Sequence, residues 1–321
     1  MRVLVTGGAG YIGSHTAKEL SNQGMEPVVY DNLIHGHREA CQWGPFIQGE
    51  LHDIGQLRQC FREHKIEAVI HFAAYAYVGE SVKDPGKYFW NNVEGSLSLI
   101  RAMRQENVNL MVFSSSCATY GIPESVPIGE AESQKPINPY GETKLMVERA
   151  LHWYAQASPL KYAALRYFNA AGADKSGEIG EDHTPETHLI PLAIEAVLGK
   201  RDPLKIFGTD YPTRDGTAER DYIHVEDLAR AHVSALHYLA GGNDSFCCNL
   251  GTGNGSTVRE VLDELEKIAG KPVPADPAPR REGDPPSLVA DPGLAEKLLG
   301  WKAQNDLSDI LQDAYRWHTE H

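Results

Sequence analysis

The chain has 321 residues, 41% hydrophobic and 23% charged, a globular composition. Thirty basic against 44 acidic side chains leave a formal net charge of −14, which repels nucleic acid and anionic lipid at long range and argues against a nucleic-acid reader. Five cysteines, odd in number and without C-x-x-C or Cys/His ligand spacing, argue against a disulfide scaffold or zinc ribbon, and no metal is expected.

In chain order, apolar runs at Val3–Val5, Val28–Tyr30, Phe46–Ile47, Ala68–Phe72, Leu110–Phe113 and Tyr162–Tyr167 read as short buried strands. Between them, apolar spacing predicts helices over Ser14–Gln23, stopped by Gly24, and over Ile54–His64, Tyr88–Glu106 and Tyr140–Gln156. The alternation predicts an α/β fold, a doubly wound parallel sheet of Rossmann type over residues 1–170. After Ala170, Gly, Pro, Asp and Thr cluster in Gly172–Pro185, Gly208–Thr217 and Lys271–Pro286, loop-rich segments suited to capping a site. Residues 171–321 therefore read as a smaller mixed α/β substrate-binding domain, with helices over Thr257–Ala269 and Leu307–His318 and some segments returning to the first domain. No run approaches the ~18 apolar residues of a membrane span, and the chain opens directly on Arg2-Val3-Leu4-Val5, so a soluble cytoplasmic protein is expected.

The first strand runs through Gly7, Gly8, Gly10 and Gly13 into a helix, satisfying both G-x-x-G-x-x-G and G-x-G-x-x-G. Glycines there permit backbone to approach a pyrophosphate, and the helix N-terminus supplies unpaired N–H groups. Asp31, ending the second strand, can accept hydrogen bonds from ribose hydroxyls and would repel a 2′-phosphate. NAD is the expected cofactor, with His35, His37 and Arg38 leaving NADP as the alternative.

Tyr140 and Lys144, four apart on a predicted helix, share a face. The spacing alone says little, but Ser114-Ser115-Ser116 ends the preceding strand, where a nicotinamide held by the Gly-rich turn would lie. A strand-end hydroxyl, a tyrosine and a lysine meeting there form a device for alcohol oxidation. A phenol of pKa near 10 needs about 4 kcal/mol of preferential phenolate stabilisation to serve as a base near pH 7, which Lys144 and an oxidised nicotinamide could supply.

Together with Ser116 before Tyr120-Gly121, Arg166-Tyr167-Phe168-Asn169 and Arg220-Asp221-Tyr222-Ile223-His224-Val225, these features resemble the extended short-chain dehydrogenase/reductases, and among them the UDP-hexose 4-epimerases. The resemblance runs through Ala278-Pro279-Arg280-Arg281-Glu282-Gly283-Asp284 to the last helix. It implies catalysis by Ser116, Tyr140 and Lys144. It implies NAD contacts from Gly7, Gly10, Tyr11, Ile12, Gly13, Asp31, Asn32, Glu50, Leu51, Phe72, Ala73, Ala74, Asn91, Ser114 and Phe168, besides Tyr140 and Lys144. Around a UDP-sugar it places Asn169, His188, Leu189, Lys205, Phe207, Arg220, Arg281, Asp284 and Leu288, with Ser116 and Tyr140. Glu50 stands where the family usually has Asp, His188 where many members have Asn, and Ala76 where some have Lys.

The implied reaction is reversible C4 epimerisation of UDP-galactose and UDP-glucose through a 4-keto intermediate, with NAD bound and recycled. Nucleotide-sugar 4,6-dehydratases carry an Asp-Glu pair where this chain has Cys117-Ala118, and UDP-glucuronate decarboxylases a Glu at Ala118, so both are disfavoured. Epimerases of N-acetylhexosamines or pentoses, and a non-catalytic NAD(H)-sensing regulator, remain as alternatives. The resemblance also implies a homodimer packing Tyr88–Glu106 and Tyr140–Gln156 against their symmetry mates.

Overall fold

The computed structural model describes residues 1–281 and 283–321; Glu282, within the arginine-rich motif above, lies outside them. The first half builds strands β1 (Arg2–Thr6), β2 (Glu26–Asp31), β3 (Phe46–Gln48), β4 (Ala68–His71), β5 (Leu110–Ser116) and β6 (Lys161–Tyr167). They alternate with helices α1 (Tyr11–Asn22), α2 (Ile54–Glu63), α3 (Val78–Lys83), α4 (Pro85–Tyr88), α5 (Gly95–Gln105) and α6 (Pro139–Ala157). The second half adds β7 (Asn169–Ala171), α7 (Leu189–Val197), β8 (Leu204–Phe207), β9 (Glu219–Arg220), β10 (Tyr222–His224), α8 (Val225–Ala240) and β11 (Phe246–Leu250). It closes with β12 (Ser256–Thr257), α9 (Val258–Ala269), β13 (Ala275–Ala278), β14 (Ser287–Leu288), α10 (Gly293–Leu299) and α11 (Leu307–Glu320).

A seven-stranded parallel sheet has the order β11-β6-β5-β4-β1-β2-β3. The strand order reverses between β1 and β4, the place where open α/β sheets bind ligands beyond their carboxyl ends. Successive residues alternate between two cores. Leu4, Val69, Met111 and Phe113 join one side with Leu57, Leu99 and Leu151 from α2, α5 and α6, while Val3, Val5, Ile70 and Val112 join the other with Leu20 and Leu236 from α1 and α8. Burial on both faces accounts for the unbroken apolar runs of these strands.

Three elements differ from the sequence reading. The strand expected over Leu110–Phe113 runs on to Ser116, with the triple serine at its end as expected: Ser114, Ser115 and Ser116 pair with Leu165, Arg166 and Tyr167. The single helix expected over Tyr88–Glu106 is interrupted by a π-helical stretch, Phe89–Glu94, of which no side-chain periodicity gave warning. A seventh strand, Phe246–Leu250, was not predicted because Cys-Cys-Asn dilutes its apolar signal; it pairs with β6 and, with α8, returns the second half to the first sheet.

The remaining second-half elements form their own core around Ile190, Ile194, Val261, Leu265, Ile310 and Leu311. Three small sheets, β10-β7, β12-β9-β14 and β13-β8, accompany it, and Ala171, Leu204 and Tyr222 from the first and third join this core. Asp221, wholly buried, ties β9–β10 to the segments after β11 and β14 by accepting from the Thr252 N–H and hydroxyl and from the Gly253 and Ala290 N–H groups. No helix among the described residues is long and apolar enough to cross a membrane.

Candidate active site

The site begins where β1 turns into α1. Gly7 sits at φ +73°, and a Cβ there would lie 2.5 Å from the Ala73 nitrogen, so the turn packs directly on the end of β4. At Gly13 a Cβ would lie 2.2 Å from the Gly7 carbonyl, which explains the glycine inside the first helical turn. Gly10 caps α1 without any side-chain acceptor, leaving the first N–H groups open to a ligand. Asp31, buried at the end of β2, accepts from Ala9 N–H at 3.0 Å and Leu33 N–H at 2.8 Å, and burial raises its pKa. Beside it the Asn32 amide donates to Glu50 at 3.1 Å. A backbone cradle with an uncapped helix end, and a carboxylate at the far strand tip, fit a dinucleotide.

Other residues expected at the cofactor are variously placed. Phe72 lies with the second core, its ring 4.6 Å from that of His232, while Ala73 and Ala74 line the start of the following loop. Leu51 is a core residue against Gly95, and Ile12 packs on the second core. The Tyr11 hydroxyl donates to the Gly172 carbonyl at 2.6 Å, tying the Gly-rich turn to the second half. Asn91 donates to Asn92 within the π-helical stretch, and Asn92 in turn holds the Tyr75 carbonyl and the Thr143 hydroxyl.

The carboxyl end of β5 meets the N-terminal turns of α6, which Asn138 caps through the Gly141 N–H. The Lys144 ammonium, 3% exposed, donates to the Ser114 carbonyl at 2.7 Å and lies 5.8 Å from the centre of the Tyr140 ring. Burial lowers its pKa to about 7, with the Glu148 carboxylate opposing. Burial raises the Tyr140 phenol, and the neighbouring Ser116 hydroxyl pulls the other way. Ser116 also accepts from Ala118 N–H at 3.1 Å. The Ser114 hydroxyl is taken by Tyr167 at 2.6 Å, so its carbonyl is the atom offered to the site. Neither Cys117 nor Ala118 offers a carboxyl group, and burial raises the Cys117 thiol to about 12.

Behind this surface lie residues the sequence reading did not single out. His71 is held by Thr6 at 2.7 Å and Ser96 at 2.8 Å, and burial with the Lys144 charge lowers it to about 3, a neutral imidazole. Glu148 and Arg166 form a buried ion pair at 2.6 Å, joined to Ser115, Gln134 and Tyr120. Glu148 continues the four-residue spacing of Tyr140 and Lys144, the one signal that could have marked it.

Across the site, Phe168 packs with Cys117, Tyr120 and Leu288. Leu288 on β14 is in register with Arg220 on β9, and Arg220 forms an ion pair with Asp284. The Arg281 guanidinium lies 4.1 Å from the Phe207 ring centre. Asn169 starts β7 with its N–H on the Asp221 carbonyl. Lys205 differs: its ammonium pairs with Asp276 at 2.7 Å and half its side chain is exposed. Leu189 packs into the second-half core, and His188 caps α7 in a cluster with Glu181, His183 and Glu186 that the sequence reading missed although Glu-x-His-x-x-Glu-x-His stands in one octet. The two carboxylates raise His183 to about 9 and His188 to about 10.

Residues 3–251 match the NAD dependent epimerase/dehydratase family. A UDP-glucose 4-epimerase of Rhizobium leguminosarum bv. trifolii is 54% identical over 318 residues, covering 99% of this chain and 97% of that protein. Among solved structures, UDP-glucose 4-epimerase from Brucella ovis in complex with NAD aligns at TM-score 0.97 and 53% identity, over 98% of this chain and 97% of that one. The Bifidobacterium longum enzyme in complex with NAD+ and UDP aligns at 0.94 and 39%, over 100% and 98%. The chain belongs to the NAD dependent epimerase/dehydratase family, within its UDP-glucose 4-epimerases.

Proposed function

We propose that this NAD-dependent epimerase interconverts UDP-glucose and UDP-galactose, with Ser116, Tyr140 and Lys144 as its catalytic residues. The observation that carries the reading is the buried Lys144 ammonium, held on the Ser114 carbonyl at 2.7 Å and 5.8 Å from the centre of the Tyr140 ring. Bound NAD supplies a reversible two-electron acceptor for the sugar's C4. Tyr140 removes the O4 proton during oxidation and returns it during reduction, and Ser116 holds O4 against the phenol. Lys144 supplies positive charge beside the phenolate, offsetting the burial that otherwise keeps the phenol protonated.

Inversion requires the 4-ketosugar to present its other face while the nucleotide stays bound. Arg220 and Arg281 supply two guanidinium groups for the diphosphate, and Asp284 is placed beside Arg220 to receive ribose hydroxyls. Purified protein given UDP-galactose with no added NAD should form UDP-glucose. Absence of turnover in protein shown to contain NAD would instead favour an NAD(H)-sensing role.

The active form is a homodimer built on α5 and α6. Met146 and Trp153 stand seven apart on α6, with Trp153 70% exposed, and Trp90 is exposed nearby in sequence to α5. A 560 Å³ groove runs between Leu97, Arg101 and Tyr154. Light scattering should give twice the 35.4 kDa chain mass, and Trp153→Glu should shift it toward the single chain.

A further inference from the structure

The loop leading into α7 carries two carboxylates and two imidazoles that no part of the proposed reaction uses together. His188 Nδ1 lies 2.8 Å from a Glu181 oxygen and 3.0 Å from a Glu186 oxygen. His183 Nδ1 lies 3.2 Å from Glu181 and 3.6 Å from Glu186. All four ligand atoms fall within 4.8 Å of one another. A tetrahedral ion with bonds of about 2.0–2.1 Å sets its ligands about 3.3 Å apart, within the 2.8–3.6 Å span of the four imidazole–carboxylate distances. We propose that Glu181, His183, Glu186 and His188 bind one zinc ion as a structural site, which gives His188 a ligand role in place of the UDP-sugar contact that the resemblance implied for it.

Nitrogen and carboxylate oxygen in a four-membered set suit zinc, whereas calcium and magnesium call for six or more oxygens including waters. The ion would displace the protons these imidazoles otherwise hold, and the two carboxylates would then balance its charge. The Glu181 and Glu186 side chains are only 4% and 8% exposed, so the charges are shielded from water, while His188, 45% exposed, leaves a route for the ion.

The surroundings show what the ion would hold. Trp317 of α11 donates to the Glu181 carbonyl at 3.0 Å, and its ring lies so close over Gly180 that a Cβ there would be 2.3 Å away. Tyr11, from the Gly-rich turn, and Tyr77 both stand edge-on to His183 at 6.3 Å. Zinc would thus pin the start of α7 among α11, the Gly-rich turn and the loop after β4, stiffening one wall of the site without entering the chemistry.

Protein purified without chelator or added metal should contain about one zinc per chain by plasma mass spectrometry, and Glu186→Gln and His183→Gln should each lower that by about tenfold or more. Dipicolinate-stripped parent should regain about one equivalent from ZnCl2 together with its melting temperature, and with CoCl2 should give the strong visible band of tetrahedral cobalt. The cobalt spectrum uses the parent alone, so it decides the matter even where a variant fails to fold. Parent that holds no zinc and, once stripped, takes up neither ZnCl2 nor tetrahedral CoCl2 would overturn the assignment.

Discussion

Removing both members of the Glu148–Arg166 pair should cost about as much as removing either one alone. One Glu148 oxygen accepts from Ser115 at 2.5 Å and Arg166 Nε at 2.9 Å; the other accepts from Arg166 Nη2 at 2.6 Å and Gln134 at 3.0 Å. Arg166 Nη1 donates to the Tyr120 hydroxyl at 2.9 Å, which donates on to Asn249 at 2.7 Å. The side chains are 5% and 6% exposed, so a lone survivor would be a buried, uncompensated charge, costing about 3–5 kcal/mol. At roughly 2 °C per kcal/mol for a chain of this size, Glu148→Met or Arg166→Met should each lower the melting temperature by about 6–10 °C. The double variant removes both charges and leaves mainly Ser115 and Gln134 without a partner, at about 1–3 kcal/mol each. It should therefore lose about 4 kcal/mol, not the sum of about 8. The assay is scanning calorimetry on all four proteins at one concentration and fixed NAD content. Losses that add to within about 0.5 kcal/mol would refute the coupling, and singles melting within about 2 °C of the parent would show that the pair is solvated.

Tyr140→Phe keeps the ring and removes the proton acceptor, so kcat should fall by at least about 100-fold while UDP affinity, measured by calorimetry, changes little; activity within a few-fold of the parent would assign the proton to another group. Lys144 has a folded pKa of about 7 against an ordinary value of 10.5, so the charge it carries below pH 7 destabilises the fold, and that penalty is relieved as pH rises from about 7 to 10.5. Lys144→Met in NAD-stripped protein should accordingly raise the melting temperature more at pH 6 than at pH 10, and equal shifts at both would contradict the burial argument. Leu288 packs beside Phe168 and in register with Arg220, both assigned to the proposed site, so a larger ring at 288 is expected to crowd the sugar. Leu288→Tyr should selectively lower kcat/KM for UDP-N-acetylglucosamine over UDP-glucose, because leucine can take another rotamer at about 1 kcal/mol and tyrosine cannot. An unchanged ratio would put the constriction elsewhere.

What the sequence determined by itself is local. The β1–glycine–α1 unit is legible because strand period, the φ +73° turn at Gly7 and helix spacing are settled within about a dozen residues. The same holds for Tyr140 and Lys144, whose common face follows from helical pitch alone. Tertiary structure decided what those groups experience. Lys144 loses its ordinary basicity because β5 and α6 close over it, and the Ser114 hydroxyl is taken by Tyr167, 53 residues on. Lys205, expected at the substrate, meets Asp276 across β8 and β13, and Phe246–Leu250 returns to the first sheet by pairing with β6. Glu181, His183, Glu186 and His188 stand in one octet, yet nothing in their spacing says that their ligand atoms converge; that depends on Trp317 and Tyr11, more than a hundred residues away in either direction. Burial and partner choice are set by packing between distant segments, whereas turn sterics and periodicity act between neighbours, and only the neighbours can be read from the chain in order.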